Sequence, residues 1–148
     1  MQDSLIRAVR IAAFALAAYV GITLSGNGLA GIFQPELGAG SGEGVLRTFT
    51  SDGEVYERRL AVVEDGDVLW LASVQYFRRW YDRAVANPEV ELVRNGQVEL
   101  YRAVPVRTPG ARAHLTQLLE VRAGAVRFAF MRAFWLFAEI KPLRLDPR

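Results

Sequence analysis

The sequence lacks cysteine altogether, and it has only one histidine, His114, and one lysine, Lys141. The lack of cysteine excludes disulfide bonds, thiolate metal sites and cysteine nucleophiles. A single imidazole is a poor basis for a histidine metal centre or a histidine-dependent triad. We therefore interpret His114 as structural, and we predict no metal ligands and no catalytic side chains.

The charge also excludes one class of partner. The 148 residues carry a formal net charge of +2, and the sequence pI is about 9.3. The basic residues are almost all arginines, and they are scattered among acidic residues instead of forming a block. We therefore predict no nucleic-acid binding. The length suits one domain with a sizeable core.

Residues 5–24, LIRAVRIAAFALAAYVGITL, are strongly apolar, and no charge follows Arg10 until Glu36. About twenty apolar residues are enough for a helix to cross a bilayer. The open alternatives are a membrane span, a helix lying on the membrane and a helix packed over the rest of the chain; a signal peptide would share this pattern, but we expect the segment to be retained. Arg7 and Arg10 lie at the start of this segment and no other basic residue lies within it, so the positive-inside rule places the N-terminus in the cytoplasm. The side on which the remaining chain lies stays open.

Residues 53–106 have the strongest β pattern. The dipeptides Asp65-Gly66 and Asn95-Gly96 each separate runs rich in valine, leucine and aromatic residues, which predicts two β-hairpins. Between them, apolar residues recur at helical spacing from Gln75 to Ala86, and Asn87-Pro88 ends that pattern. A strand over 45–49 and a turn over 50–53 precede the hairpins, and a helix over 109–124 follows them. This pattern predicts a mainly β, α+β domain with antiparallel strands and two or three short helices.

The run from Ala125 to Ile140, AVRFAFMRAFWLFAEI, is unusually rich in aromatic residues. It suits a core segment, the wall of a pocket for a flat ring, or a surface that meets a membrane or another subunit. These three interpretations remain open from sequence.

Three segments in order carry a family resemblance: Ala72-Ser73, Trp80-Tyr81, and the run from Ala86 to Val90, ANPEV. The chain thereby resembles the deazaflavin (F420)-dependent nitroreductase and quinone reductase family of the FMN-binding split-barrel superfamily. The resemblance implies an antiparallel split β-barrel preceded by an apolar helix. We accordingly divide the chain into a membrane-anchor helix (1–35), a glycine-rich linker (36–44) and a split-barrel domain (45–148).

The resemblance also implies a cofactor site for F420 or FMN. The matching positions are Ser51, Gly53, Arg58, Arg59, Ser73, Trp80 and Tyr81. The family's phosphate-binding turn has a Gly-basic-basic-Ser-Gly motif. Here that turn keeps only its hydroxyl character and Gly53, and Asp52 places a negative charge where a phosphate is expected. Arg58 and Arg59 are the cations that would compensate.

Two functions follow. The first is a membrane-associated flavin- or F420-dependent oxidoreductase, in which the cofactor supplies the chemistry and no protein nucleophile is needed. The alternative is a non-catalytic, membrane-anchored accessory subunit of a larger membrane complex, with the aromatic run as its contact surface. Membrane lipid, subunits of such a complex or a second copy of the chain are the expected partners. A haem-binding barrel ranks last, because His114 is the only imidazole ligand.

Overall fold

The computed structural model describes residues 2–32, 42–74, 79–134 and 138–148. Within these ranges the chain forms four helices and six strands. The elements in chain order are α1 (Gln2–Ile32), β1 (Glu43–Phe49), β2 (Val55–Asp65), β3 (Val68–Ser73), α2 (Arg79–Ala86), β4 (Glu89–Arg94), β5 (Gln97–Pro105), α3 (Pro109–Ala123), α4 (Ala125–Phe134) and β6 (Lys141–Pro147).

The six strands close into an antiparallel barrel in the order β1-β2-β3-β6-β5-β4. Residues 55–61 of β2 pair with β1, whereas residues 62–65 pair with β3. The first half of β2 pairs with β1, and β1 pairs on its other side with β4. We call β1 and the first half of β2 the β1–β2 ribbon. This arrangement confirms the predicted split-barrel fold with three short helices after the N-terminal one.

Both predicted hairpins are present. Arg94 pairs with Gln97, so Asn95 and Gly96 form the whole loop, and their φ angles of 51° and 77° are those of a type I′ turn. In the other hairpin Asp65 pairs with Val68, so the loop residues are Gly66 and Asp67, one position later than the predicted dipeptide. Gly66 has φ 60°, which matches a type II′ turn with glycine at its first loop position.

Two apolar clusters stabilise the barrel. The inner cluster fills the barrel with Leu46, Leu71, Leu92 and Leu143, and α2 closes one end of it. The outer cluster packs α3 and α4 against the outside of β2 and β3. Its buried members are Val63, Trp70, Leu115, Phe128 and Ile140.

The other end of the barrel is closed by charges. Arg94 donates to Glu64 at 2.7 Å and to Glu99 at 3.0 Å, and the Tyr101 hydroxyl donates to Glu99 at 2.8 Å. Because Tyr101 belongs to the inner cluster, this network joins the buried core to the charged end of the barrel, which we call the rim.

The predicted helix over 109–124 is confirmed as α3. The Thr108 side chain accepts from the backbone N–H of Ala111, Pro109 begins the helix, and Gly124 caps its end. The helix predicted from Gln75 is described from Arg79, and its first four positions lie outside the described residues.

Candidate functional site

The barrel end covered by α2 brings together three of the predicted site residues. Antiparallel pairing puts the last residue of β3, Ser73, at the same end as the first residue of β6, Lys141. Trp80 and Tyr81 of α2 pack onto this end, with 3% and 7% of their surfaces exposed. Their rings meet edge to face with centroids 5.9 Å apart. Ser73 is also buried there, so the three residues form the base of one site.

The indole N–H of Trp80 is buried and has no hydrogen-bond acceptor among the described residues. Leaving a buried donor unpaired costs about 1–3 kcal/mol. A ring system with an acceptor atom would satisfy this donor, so Trp80 fits the expected flavin-type group. Trp70 also has an indole N–H that no described residue accepts, but it lies in the outer cluster under α3 and α4.

The β1–β2 turn, with Ser51 and Gly53, is exposed and acidic. The Thr50 hydroxyl donates to the Asp52 carboxylate and accepts from the backbone N–H of Glu54 at 3.0 Å. The hydrogen bond from Thr50 lowers the pKa of Asp52, so its carboxylate stays ionised at neutral pH. The turn thus presents a negative charge and uses one of its hydroxyls internally. It does not fit a phosphate group as it stands.

Arg58 and Arg59 lie on opposite faces of the β1–β2 ribbon. Arg58 is paired with Leu46, whose side chain points into the barrel, and Arg59 is paired with the outward Val45. Since directly opposed residues share a face, Arg58 is on the inner side of the ribbon and Arg59 on the outer side. Of the two, Arg58 lies on the face that continues into the barrel.

Arg83 connects α2 to the β1–β2 ribbon. Its Nε donates to the Thr48 hydroxyl at 3.1 Å, and its guanidinium lies 4.2 Å from the centroid of the Tyr56 ring. Arg79 is exposed, but Arg83 is half-buried and holds the two parts of the predicted site side by side.

A cleft of about 400 Å³ opens beside Tyr81, which we call the Tyr81 cleft. This volume is within the range of small-molecule sites. Residues from α2, the β5–α3 connection, α3 and the start of β6 form its walls. The ionisable residues among them are Tyr81, Asp82, Arg107, Arg112, Glu139 and Lys141.

Three cations and two carboxylates line this cleft. Lys141 Nζ lies 5.9 Å from the centroid of the Tyr81 ring, and the positive charge of Arg107 acts on the Tyr81 hydroxyl. Burial raises the pKa of Tyr81, and the Arg107 charge partly offsets that rise. Arg112 forms an ion pair with Glu139. Arg107 and Lys141 therefore face Tyr81 with only Asp82 to oppose them.

Sequence reasoning missed this cleft because its cations are far apart in the chain. Arg107 follows β5 and Lys141 begins β6, and antiparallel pairing of these strands brings the two residues to one barrel end. The only sequence signal was that Lys141 is the single lysine of the chain. His114 lies elsewhere, with Nε2 2.7 Å from an Asp65 carboxylate oxygen. No group of potential metal ligands occurs in the described part of the chain.

No protein-family model matches the sequence, and no curated protein matches it. Solved structures do share its fold. An F420-H2-dependent reductase, FDR-A, has a TM-score of 0.59 at 16% identity, with 72% of this chain and 95% of that one covered. A candidate pyridoxamine 5′-phosphate oxidase from Listeria innocua has a TM-score of 0.53 at 12% identity, with coverage of 72% and 84%. An FAD-binding protein from Mesorhizobium loti gives 0.50 at 20% identity, with coverage of 74% and 83%.

Proposed function

We propose that the chain is a membrane-associated split-barrel protein that binds F420 or FMN and acts as an oxidoreductase. The observation that carries the cofactor part is the buried, unpaired indole N–H of Trp80 at a site predicted from sequence. The fold likeness to an F420-H2-dependent reductase and an FAD-binding protein supports it. A bound flavin-type group supplies hydride transfer, and the chain supplies binding and orientation.

In this proposal Ser73, Trp80 and Tyr81 would hold the ring of the cofactor. The Trp80 indole N–H would donate a hydrogen bond to an acceptor on the ring, and the aromatic faces would exclude water from it. Arg83 keeps α2 seated on the ribbon, so it is a positioning residue for Trp80 and Tyr81.

The anionic part of the cofactor has two candidate positions. The sequence resemblance favours the turn at Ser51 and Gly53 with Arg58 and Arg59, where Asp52 opposes an anion. The geometry favours the Tyr81 cleft, where Arg107 and Lys141 lie close to Tyr81, one of the residues proposed to contact the cofactor ring. We propose the Tyr81 cleft, because charge-assisted contacts there require no rearrangement of an acidic turn.

Isothermal titration with FMN and with F420 tests both positions. We expect micromolar binding that weakens at least about tenfold when Arg107 and Lys141 are both replaced by alanine, because two charge-assisted contacts are lost. Replacing Arg58 and Arg59 by alanine should change the affinity less. The reverse order would assign the anionic part to the turn.

A second pair of variants tests the ring contact. Trp80→Phe should weaken binding because it removes the donor, whereas Trp70→Phe removes an equally unpaired donor from the outer cluster and should leave the affinity unchanged. Equal affinities in all three proteins would contradict the assignment of Trp80.

The alternative function is a non-catalytic accessory subunit of a membrane complex. The hydrogen bond from Thr50 to Asp52 favours it, since this contact occupies the turn that binds phosphate in the resembled family. No binding of FMN or F420 at millimolar ligand would select this alternative over the oxidoreductase.

Membrane association rests on α1. The window Ile6–Thr23 has a mean hydropathy of 1.5, and only 6% of it is buried within the structure. Its exposed apolar residues lie on all sides of the helix: Ile6, Val9, Ile11, Phe14, Leu16, Tyr19 and Ile22. A helix that is apolar all round suits the interior of a bilayer better than its surface. We therefore propose that α1 spans the membrane with its N-terminus in the cytoplasm.

Cell fractionation tests the anchor directly. The full chain should stay with membranes after an alkaline carbonate wash and leave them only in detergent. Release by carbonate would mean that α1 does not span the bilayer.

The outer face of β1, β4 and β5 is the proposed contact for a second copy or a complex subunit. Val98 and Leu100 are about half exposed on it, and Arg47 pairs with Glu57 and Glu91 across the strands. Light scattering in detergent, with Leu100→Arg as the disrupting variant, tests this surface.

A further inference from the structure

The helix α4 has an apolar side that the barrel does not cover. Phe128 points into the outer cluster and is buried, whereas Val126 and Phe130 are 87% and 76% exposed. Residues 126, 129, 130 and 133 follow the spacing of one helix face, opposite Phe128. We call these four residues, Val126, Ala129, Phe130 and Ala133, the α4 stripe.

The α4 stripe is continuous with the proposed membrane anchor. The Tyr19 hydroxyl of α1 donates to the backbone carbonyl of Ala133, the last member of the stripe. Tyr19 lies in the last turns of the apolar window Ile6–Thr23. An 18-residue helix is about 27 Å long, close to the hydrocarbon thickness of a bilayer. If α1 spans the membrane, the contact at Ala133 therefore places α4 near the membrane boundary.

The charge on α4 suits an anionic lipid surface. The helix contains Arg127 and Arg132 and no acidic residue. Arg132 donates to the backbone carbonyl of Ala138 at 2.5 Å, so it is used within the fold. Arg127 is exposed beside the stripe and forms no ion pair with another described residue. An apolar helix face flanked by an arginine is typical of helices that lie in the membrane interface.

We propose that the α4 stripe is a second membrane contact, with Val126 and Phe130 in the boundary between head groups and acyl chains and Arg127 on lipid phosphates. The inference rests on the proposed membrane association of α1. It fixes the orientation of the barrel, because the α3–α4 side then faces the bilayer while the outer face of β1, β4 and β5 faces away from it.

The absence of cysteine makes the test direct, since each introduced cysteine is the only thiol. The variants Phe130→Cys, Phe14→Cys and Leu100→Cys place one thiol on the stripe, on α1 and on the exposed barrel face. Each full-length protein is labelled with an environment-sensitive fluorophore. It is then reconstituted into vesicles of phosphatidylcholine with and without phosphatidylglycerol.

We expect the labels at positions 14 and 130 to shift to shorter wavelength and to be quenched by brominated lipid, while the label at 100 is not quenched by brominated lipid. Omitting phosphatidylglycerol, or introducing Arg127→Glu, should move the label at 130 towards water and leave the label at 14 unchanged.

The outcomes separate the two proposals. A lipid-exposed label at 14 with an aqueous label at 130 would overturn the α4 contact and leave the anchor intact. Aqueous labels at both positions would overturn both proposals. A label at 130 that neither brominated lipid nor aqueous iodide quenches would mean that protein covers the stripe, which also overturns the lipid contact.

Discussion

The barrel and α1 use apolar residues in opposite ways. In the strands, apolar residues that alternate with polar ones point inward, and Leu46, Leu71, Leu92 and Leu143 are completely buried. In α1, apolar residues point in every direction, and Phe14 is 78% exposed. The hydrophobic effect stabilises the barrel by burial within the chain, whereas α1 finds no such burial within the described structure.

The difference shows that apolar residues in this chain specify two different environments, a core within the chain and surroundings outside it. In the strands, apolar residues at every second position lie on the inner face, which specifies a core closed within the chain itself. The lack of a polar face on α1 specifies an environment outside the chain, which we propose to be lipid. The two regions should therefore respond differently to the same type of substitution.

The largest expected difference is between Leu46→Ala and Phe14→Ala. Leu46 lies in the centre of the inner cluster, so its truncation should lower the free energy of unfolding of the barrel by about 2–5 kcal/mol. Phe14 touches no core cluster, so its truncation should change that free energy by less than about 0.5 kcal/mol. Denaturant unfolding in detergent, followed by tryptophan fluorescence, measures both. Comparable losses would mean that α1 packs on the barrel.

For membrane association we expect the opposite order: an added charge should have a larger effect on α1 than on the barrel. Phe14→Arg places an arginine in the middle of the apolar window, which costs about 2.5–3.5 kcal/mol for membrane insertion. Leu100→Arg is the matched control, because position 100 is exposed and lies opposite Glu91 on the neighbouring strand. Fractionation should show Phe14→Arg partly in the soluble fraction and Leu100→Arg with the membranes. Full retention of Phe14→Arg would contradict a spanning helix.

Local signals were sufficient to predict most of the barrel. The turns after Asp65 and Arg94, the end of the helix at Asn87 and the caps of α3 all depend on residues within a few positions of each other. Trp80 and Tyr81 belong to the apolar residues that recur at helical spacing, and the structure buries both. Such short-range determinants are readable in a single sequence because each one has its own backbone requirement.

The candidate site was less predictable because it depends on distant pairs. Arg83 meets Thr48 across 35 positions, and Arg107 and Lys141 meet only after β5 and β6 pair. The aromatic run had three open interpretations, and the structure divides it: Phe128 is core while Phe130 is exposed. Positions 135–137 of that run, and the side chain of Phe134, lie outside the described residues.

The hairpin turns allow a smaller test of the local information in the barrel. Asn95 has φ 51°, a left-handed conformation that costs most non-glycine residues about 1–2 kcal/mol. Asn95→Ala should therefore lower the free energy of unfolding by about 1 kcal/mol, and Asn95→Gly should change it little. Asp67→Ala in the other turn is the control, because Asp67 does not have a positive φ. An equal effect of the two alanine variants in denaturant unfolding would mean that the backbone conformation at 95 is unimportant.

The smallest expected effect concerns Glu99 at the charged rim of the barrel. The apolar window of α1 contains no acidic residue, so this test applies to the barrel alone. Hydrogen bonds from Tyr101 and then from Arg94 lower the pKa of Glu99 from its usual 4.5. Because the folded pKa is the lower one, this contribution to stability is complete above pH 4.5 and is lost as the pH falls through the folded value.

Glu99 is partly exposed, so Glu99→Gln should cost less than about 1 kcal/mol at pH 7. The difference from wild type should then vanish in acid. Denaturant unfolding across this pH range measures it, with the exposed Glu120→Gln as control. A Glu99→Gln deficit that persists below the folded pKa would assign the effect to packing rather than to charge.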